Sequence, residues 1–508
     1  MALSSKFAFV ILLAHVMWPT QAFPKNVAGI VYLDKNQNMV RDEGELGLKD
    51  VLVSNGRDVV KTNQKGEWEL ELTDKNSLFV IQPSGYVVPV NDAMVPQHYR
   101  VLNPTSGNPE FPLWEDTQHS DNFEALLFGD TQARGIKEVN YVMHDVVEEC
   151  IGSDARFGVA LGDIVADDPD LFDEISQGIG KIGVPWYYVF GNHDHDRGVK
   201  GNEGADNTFI KNFGPSTYAF QFGKVCFVSL NNVDFKDEGG YRAHFSADQV
   251  EFVSQLSDGL PDDYLMVLMM HIPIVACDNR EEIFRTLEKR EFSLTIAAHT
   301  HTLINAFLDE EYGWKGEKPH HLFINGTVSG SWWCGIKDEL GIPHTTMNDG
   351  APNGYATIRF DGNQYSIRYK AARRPADYQM NIYLPDDVSL SGIDTTRVMV
   401  NFFNGTSRSK LRMRVNGQGD WIALGQTEAR DPANMKLFEL SPLLDLEFKG
   451  ESLDETLGWK MDYPSKSRHF WQEKLPSDLK PGTHLLEVQA TDFYGQTFTA
   501  HRIFRVNK

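Results

Sequence analysis

Cysteine is scarce in this chain. Four residues in 508 (Cys150, Cys226, Cys277 and Cys334) are too few and too scattered for a disulfide scaffold. One or two bridges fit the count, and the sequence does not pair them. Basic charge is also short, with 48 Lys and Arg against 71 Asp and Glu and a net charge of −23. That balance excludes general binding to nucleic acid or anionic membrane, both of which need a basic surface. It does not exclude a metal site, because a cation brings its own charge. Long apolar runs are missing beyond the first residues. There, Lys6, the apolar stretch Phe7 to Trp18 and the small-residue site Thr20-Gln21-Ala22 read as a secretory signal over 1–22. The run is too short for a permanent anchor, and no Cys near the cut suggests a lipid. The expectation is export, to a periplasmic or secreted location, with no membrane span after signal removal. Internal repeats and low-complexity tracts are absent as well.

What is present divides into three parts, within the two to four domains that this length suggests. Residues 23–115 read as a small β domain, with strand-like Ala28 to Leu33, Val51 to Ser54, Trp68 to Leu72 and Leu78 to Gln82. Turns at Asn55-Gly56 and Lys65-Gly66 punctuate them. Between the first two strands, Asp34, Asn36, Asn38, Asp42 and Glu45 occupy positions 1, 3, 5, 9 and 12 of a twelve-residue loop. That is the spacing of a calcium loop, although Met39 stands where such loops want Gly. A polar surface loop is the alternative. Residues 376–508 return to β character, with strands over Val398 to Phe403, Leu411 to Val415, His484 to Ala490 and Thr497 to Val506, and read as a β-sandwich.

The middle part, 120–375, alternates strands with helices. Strands Ala125 to Phe128, Phe157 to Leu161 and Trp186 to Phe190 are separated by helical periods over 136–151 and 169–182, which predicts a parallel sheet with right-handed crossovers. Further strands end near Leu230, Met270 and Ala298. The strand ends carry the chemistry. Gly129-Asp130-Thr131-Gln132, Gly162-Asp163, Gly191-Asn192-His193-Asp194, His271 and His299-Thr300-His301 each follow an apolar run. Loops at the carboxyl ends of such strands open on one edge, where α/β folds place their sites. One strand-end Asp or His is ordinarily a cap; five successive ones are not.

In this order the series resembles the calcineurin-like metallophosphoesterase superfamily, whose pattern is D-x-H, G-D-x-x-D, G-N-H-D/E, H and G-H-x-H. The resemblance covers the middle domain. It implies an α/β sandwich and a phosphoester hydrolase with two divalent metals, Mn, Fe or Zn. By position Asp163 bridges the metals, Asp130 and His301 bind the first, and Asn192, His271 and His299 the second. A hydroxide shared by the metals is the implied nucleophile. His193, not a ligand, protonates the leaving alkoxide or steadies the transition state. The three-part layout also looks like a group of exported bacterial phosphoesterases, and the first domain like Ig- or transthyretin-like modules.

Three positions depart from the pattern. Gln132 replaces the His two residues after the first Asp; its amide oxygen is a harder, weaker donor, which favours Mn or Fe over Zn or loosens the metal. Three residues after Asp163 stands Ala166, with acids one step later, so Asp167 is the candidate to orient His193. Ala298 replaces a Gly. His195 is a candidate substrate contact, as are Trp332 and Trp333 in the Gly/Ser-rich loop 325–333, where stacking would wall the site; packing against a neighbouring domain is the alternative. The stretch 349–355 reads as another loop on this side. No spacing implicates His320, His321 or His344. The expected partner is a small-molecule, glycan-linked or lipid-linked phosphate ester. The rival reading is a non-catalytic secreted binding protein with structural metals, although this ligand set leaves room for water.

Overall fold

The computed structural model describes residues 26–72, 76–103, 106–440, 447–448, 451–452 and 461–508. The expected signal segment 1–22 lies outside the described residues. In the first domain, Asn26–Leu33 pairs antiparallel with Glu67–Glu71 and parallel with Glu110–Glu115. Glu67–Glu71 alternates, with Trp68 and Leu70 buried and its three Glu exposed, as a half-buried strand requires. Two four-stranded sheets enclose Val31, Val53, Trp68, Leu78 and Phe111.

The middle domain is an α/β sandwich of two mixed sheets. Asn122–Phe128, Phe157–Ala160 and Trp186–Tyr188 are parallel neighbours, as their spacing predicts. The hairpin Gly354–Asp361 and Gln364–Ala371 completes that sheet antiparallel to Asn122–Phe128. The other sheet has six strands, in the order Tyr218–Phe222, Val225–Ser229, Leu265–Met269, Ser293–Ala297, His320–Ile324 and Ile304–Leu308. Aromatic side chains join the sheets: the rings of Tyr187 and Phe220 stack at 3.7 Å, and Phe157 meets Phe227 at 5.1 Å. Leu265–Met269, which leads into the site at His271, is apolar and buried at all five residues, as a sandwiched strand must be.

Helices cover the outer faces. Phe172–Ile179 buries Phe172, Ile175 and Ile179 along one stripe. Ala247–Gly259 starts at a reciprocal cap between Ser246 and Gln249, which satisfies two otherwise orphaned N–H groups. The stretch predicted as a loop over 349–355 runs directly into the strand Gly354–Asp361.

The last domain is a sandwich of a four-stranded and a five-stranded sheet around Val398, Val400, Met413, Trp471, Leu486 and Val488. No helix among the described residues is long and apolar enough to cross a membrane.

Candidate metal centre

The strand ends of both sheets meet at one edge. The backbone there is strained: Asp130, Gln132, Asp163, His299 and His301 all have positive φ, from 39° to 71°. Non-glycine residues seldom adopt this region, and such conformations gather where a site needs a particular side-chain direction. Glycine does the remaining work. A Cβ on Gly191 would lie 2.1 Å from the backbone N of Asp163, and one on Gly162 would lie 2.6 Å from the His271 ring. The chain can therefore approach itself closely enough to bring Asp163, Asn192 and His271 together.

Asp163 is the hub. Its Oδ2 lies 3.1 Å from His271 Nε2 and 3.5 Å from Gln132 Nε2. Its Oδ1 accepts the backbone N–H of His193 at 2.8 Å. His299 Nδ1 faces His271 Nε2 at 3.1 Å, and the ligand atoms of Asp163, His271 and His299 all fall within 4.8 Å of one another. On the other side His301 Nε2 lies 3.5 Å from Asp130 Oδ1, and Asp130 Oδ2 accepts the backbone N–H of His299. Backbone carbonyls aim the imidazoles. His271 Nδ1 bonds to Leu161 O and His301 Nδ1 to Gly330 O, which turns each Nε2 inward.

Three side-chain oxygens in this pocket, Asp130 Oδ1, Gln132 Oε1 and Asn192 Oδ1, are buried and have no hydrogen-bond partner. Each such atom costs roughly 1–3 kcal/mol unless something satisfies it. Beside three inward imidazoles and a second carboxylate, they make a mixed O/N donor set of the kind that holds Mn, Fe or Zn. Ionisation follows the crowding. Burial pushes Asp130 and Asp194 up to about 7, with Asp163 adding to both. Burial also opposes the charge on Asp163, but His271 outweighs it and holds the carboxyl down to about 2. Burial lowers His299 and His301 to about 4, leaving the neutral imidazoles that bind metals.

His193 stands at the mouth, its side chain 35% exposed, with Nδ1 2.8 Å from Asp167 Oδ1. Burial of the ring lowers its basicity, but Asp163 and Asp167 together raise its pKa above the ordinary value. Asp194 is fully buried, and its carboxylate accepts the backbone N–H groups of Ile164, Val165 and Gly191. It ties the Asp163 loop to the Asn192 loop. His195 Nδ1 bonds to Asn192 O, and its ring lies 5.0 Å from Phe235.

The paired Trp separate. Trp332 stacks on His301 at 4.0 Å. Trp333 is 1% exposed and donates its indole N–H to Thr131 O, so it supports the Asp130 loop from below. The expectation that Trp333 walls the substrate is thereby corrected, because a fully buried ring cannot stack on a ligand. Two contributors carry no motif. Tyr241, on the hairpin after Val233–Phe235, places its ring 6.2 Å from that of His299. Asn232 clamps the backbone N–H and C=O of Ile272 and so sets the turn after His271. Alternation around 230–243 is the only sequence signal for either.

Residues 123–303 match the calcineurin-like phosphoesterase family, residues 34–115 its N-terminal region and residues 323–498 its C-terminal region. No curated protein matches the chain. Among solved structures, the purple acid phosphatase PPD1 from yellow lupin (Lupinus luteus) seeds is 12% identical over 64% of this chain and 67% of its own, with a TM-score of 0.36. The spore cortex lytic enzyme SleM of Clostridium perfringens is 11% identical over 77% of this chain and 100% of its own, with a TM-score of 0.21. With its catalytic domain and both flanking regions matched, the chain belongs to the calcineurin-like phosphoesterases, hydrolases that act on phosphoric ester bonds.

Proposed function

We propose that the chain is an exported phosphoesterase whose two divalent cations share Asp163. Asp130, Gln132 and His301 complete one position, and Asn192, His271 and His299 the other. The observation that carries this reading is the trio of buried oxygens without partners, on Asp130, Gln132 and Asn192, around the Asp163–His271–His299 cluster. When bound, such cations polarise phosphoryl oxygens and lower the pKa of water so that it attacks phosphorus at neutral pH. The protein's own part is proton transfer and orientation. Because Asp167 holds His193 Nδ1, Nε2 is left to give its proton to the departing alkoxide. Trp332 and Tyr241, beside His301 and His299, line the approach. The substrate is a small-molecule, glycan-linked or lipid-linked phosphate monoester or diester.

The test is to strip the full chain with a chelator, reload it with Mn²⁺, Fe²⁺ or Zn²⁺, and assay a panel of mono- and diesters. Hydrolysis should return with metal, at about two ions per chain. Equal activity in the stripped protein, or saturation by a single ion, would overturn the reading. Export is checked by fractionating cells that produce the full sequence.

Calcium in the loop 34–45 belongs to the same proposal. Both Asp34 carboxylate oxygens accept backbone N–H groups, from Asn38 and Met39, while Glu45 accepts those of Lys35 and Asp42. The amides of Asn36 and Asn38 converge on Asp42 Oδ2. The loop is thus closed around its own acids, with Met39 at φ 62° taking the turn usually given to Gly. Calcium should raise the melting temperature of the first domain, and Asp34→Ala should abolish the rise. An unchanged melting temperature in excess calcium would remove the ion from the assignment.

A further inference from the structure

The support of His301 does not end in its own domain. Its Nδ1 is held by Gly330 O, and the backbone N–H of Leu303, two residues on, donates to Asp349 Oδ2 at 2.7 Å. Asp349 is 2% exposed, and its other oxygen accepts the N–H of Ala351. The group facing it comes from the C-terminal sandwich. His469 Nε2 lies 3.1 Å from Asp349 Oδ2, oblique to a hydrogen-bond direction but at ion-pair distance. The opposite nitrogen, His469 Nδ1, is fixed at 2.7 Å by Asn401 Oδ1, whose amide in turn reaches Asp431 and Gly350 O.

The Gly330 side is tied down in the same way. Ser331, next in the chain, donates to Thr346 O, and the segment it meets is gripped from the sandwich. Asn434 donates to Met347 O and the Ser465 backbone to Asn348 O. Asn401, Asp431, Asn434 and His469 are all at most 4% exposed, so this polar seam is buried. A buried carboxylate facing a buried imidazole adds little stability over an apolar contact of the same shape. What it does supply is a fixed position, and here the fixed object is the backbone on either side of a metal-ligand candidate.

We propose that His469 and Asp349 are positioning residues for His301, so that the C-terminal domain sets the affinity of the Asp130/His301 metal position. This rests on the two-cation reading above. Outer partners of a metal-binding imidazole typically govern affinity by about 10–100-fold.

The experiment is equilibrium dialysis of the stripped full chain against Mn²⁺, alongside circular dichroism. Wild type should bind two ions. His469→Ala should keep one at wild-type affinity and weaken the other by about 10–100-fold. His469→Gln, whose amide can place an N–H toward Asp349, should recover most of the loss, which a merely structural role would not require. If His469→Ala fails to fold, Asp349→Asn replaces it: its single amide oxygen cannot accept from both Leu303 and Ala351, so the same weakening of one site is expected. Two unweakened sites in a folded variant overturn the positioning role alone. A wild type that binds no Mn²⁺ overturns the metal reading itself.

Discussion

His193 and Asp167 form a 2.8 Å contact while both keep water access, the ring 35% and the carboxylate 59% exposed. Asp130, Gln132, Asp163, Asn192, His271 and His301 are all buried, so this more exposed pair is where protein meets substrate and solvent. His193→Ala should lower kcat by about 10²–10⁴-fold, the usual contribution of a positioned acid, with metal content unchanged. Asp167→Asn should cost less, and nothing further once His193 is gone. Additive losses in the double variant, measured by steady-state kinetics and metal analysis, would show that the two act separately.

Asp163→Asn and His271→Ala should each abolish hydrolysis of an activated aryl phosphate ester and release metal on dialysis. Asp163 meets both sides of the centre, so one change empties it. Full activity in a folded, metal-loaded variant would contradict that role.

Gly191→Ala should be far more damaging than Gly183→Ala. Both add one methyl group. At Gly183 the methyl enters open space and pays only for a φ of 90°, about 1–2 kcal/mol. At Gly191 it would sit 2.1 Å from the Asp163 backbone, so the loop must move. Thermal unfolding and metal affinity should both fall for Gly191→Ala, and only the first, slightly, for Gly183→Ala.

Stability should decline as pH falls from 7 to 5, partly through histidines remote from the centre. Burial lowers His98 to about 4 and His320 and His321 to about 3. Their folded pKa lies below the unfolded value, so between the two the unfolded chain binds the extra protons. Their contribution is therefore complete above about pH 6.5 and is lost as pH drops toward the folded values, by about 2 kcal/mol each by pH 5. Replacing His98 with Gln should flatten the slope of unfolding free energy against pH. An unchanged slope would mean that His98 is protonated in the folded state too.

Trp332 and Trp333 should differ in kind. Trp333→Ala removes a fully buried ring and an indole bond to Thr131, and should cost about 3–5 kcal/mol. Trp332→Ala should leave stability nearly intact and raise KM, read from kinetics beside unfolding curves.

Much of this protein is set locally and is therefore legible in the chain. Apolar runs ending at Gly129-Asp130, Gly162-Asp163, Gly191-Asn192 and His271 announce strand ends, and a strand end must deliver its loop to the edge of the sheet. Their side-chain chemistry names the candidate donors without coordinates. Asp167 was likewise visible one residue from its expected place, because a single-residue shift in a loop is absorbed by its own backbone, here at φ 59°.

Other features arise only when distant segments pack. The division into two sheets depends on Gly354–Asp361 joining Asn122–Phe128 across more than two hundred residues, a pairing that no local period encodes. Burial separates Trp332 from Trp333, and no pattern in a Gly/Ser-rich loop tells which ring turns inward. Asp194 shows the same limit: in sequence it is a turn residue, in space a buried acceptor for three N–H groups from two loops. The seam from His469 through Asp349 to the His301 loop lies furthest from sequence reading, because its members stand 120 residues apart and on different domains. Residue types determine what chemistry is available. Which groups share one buried pocket is decided by the packing of sheets and domains, since only that packing withdraws them from the bulk water that would otherwise satisfy each of them alone.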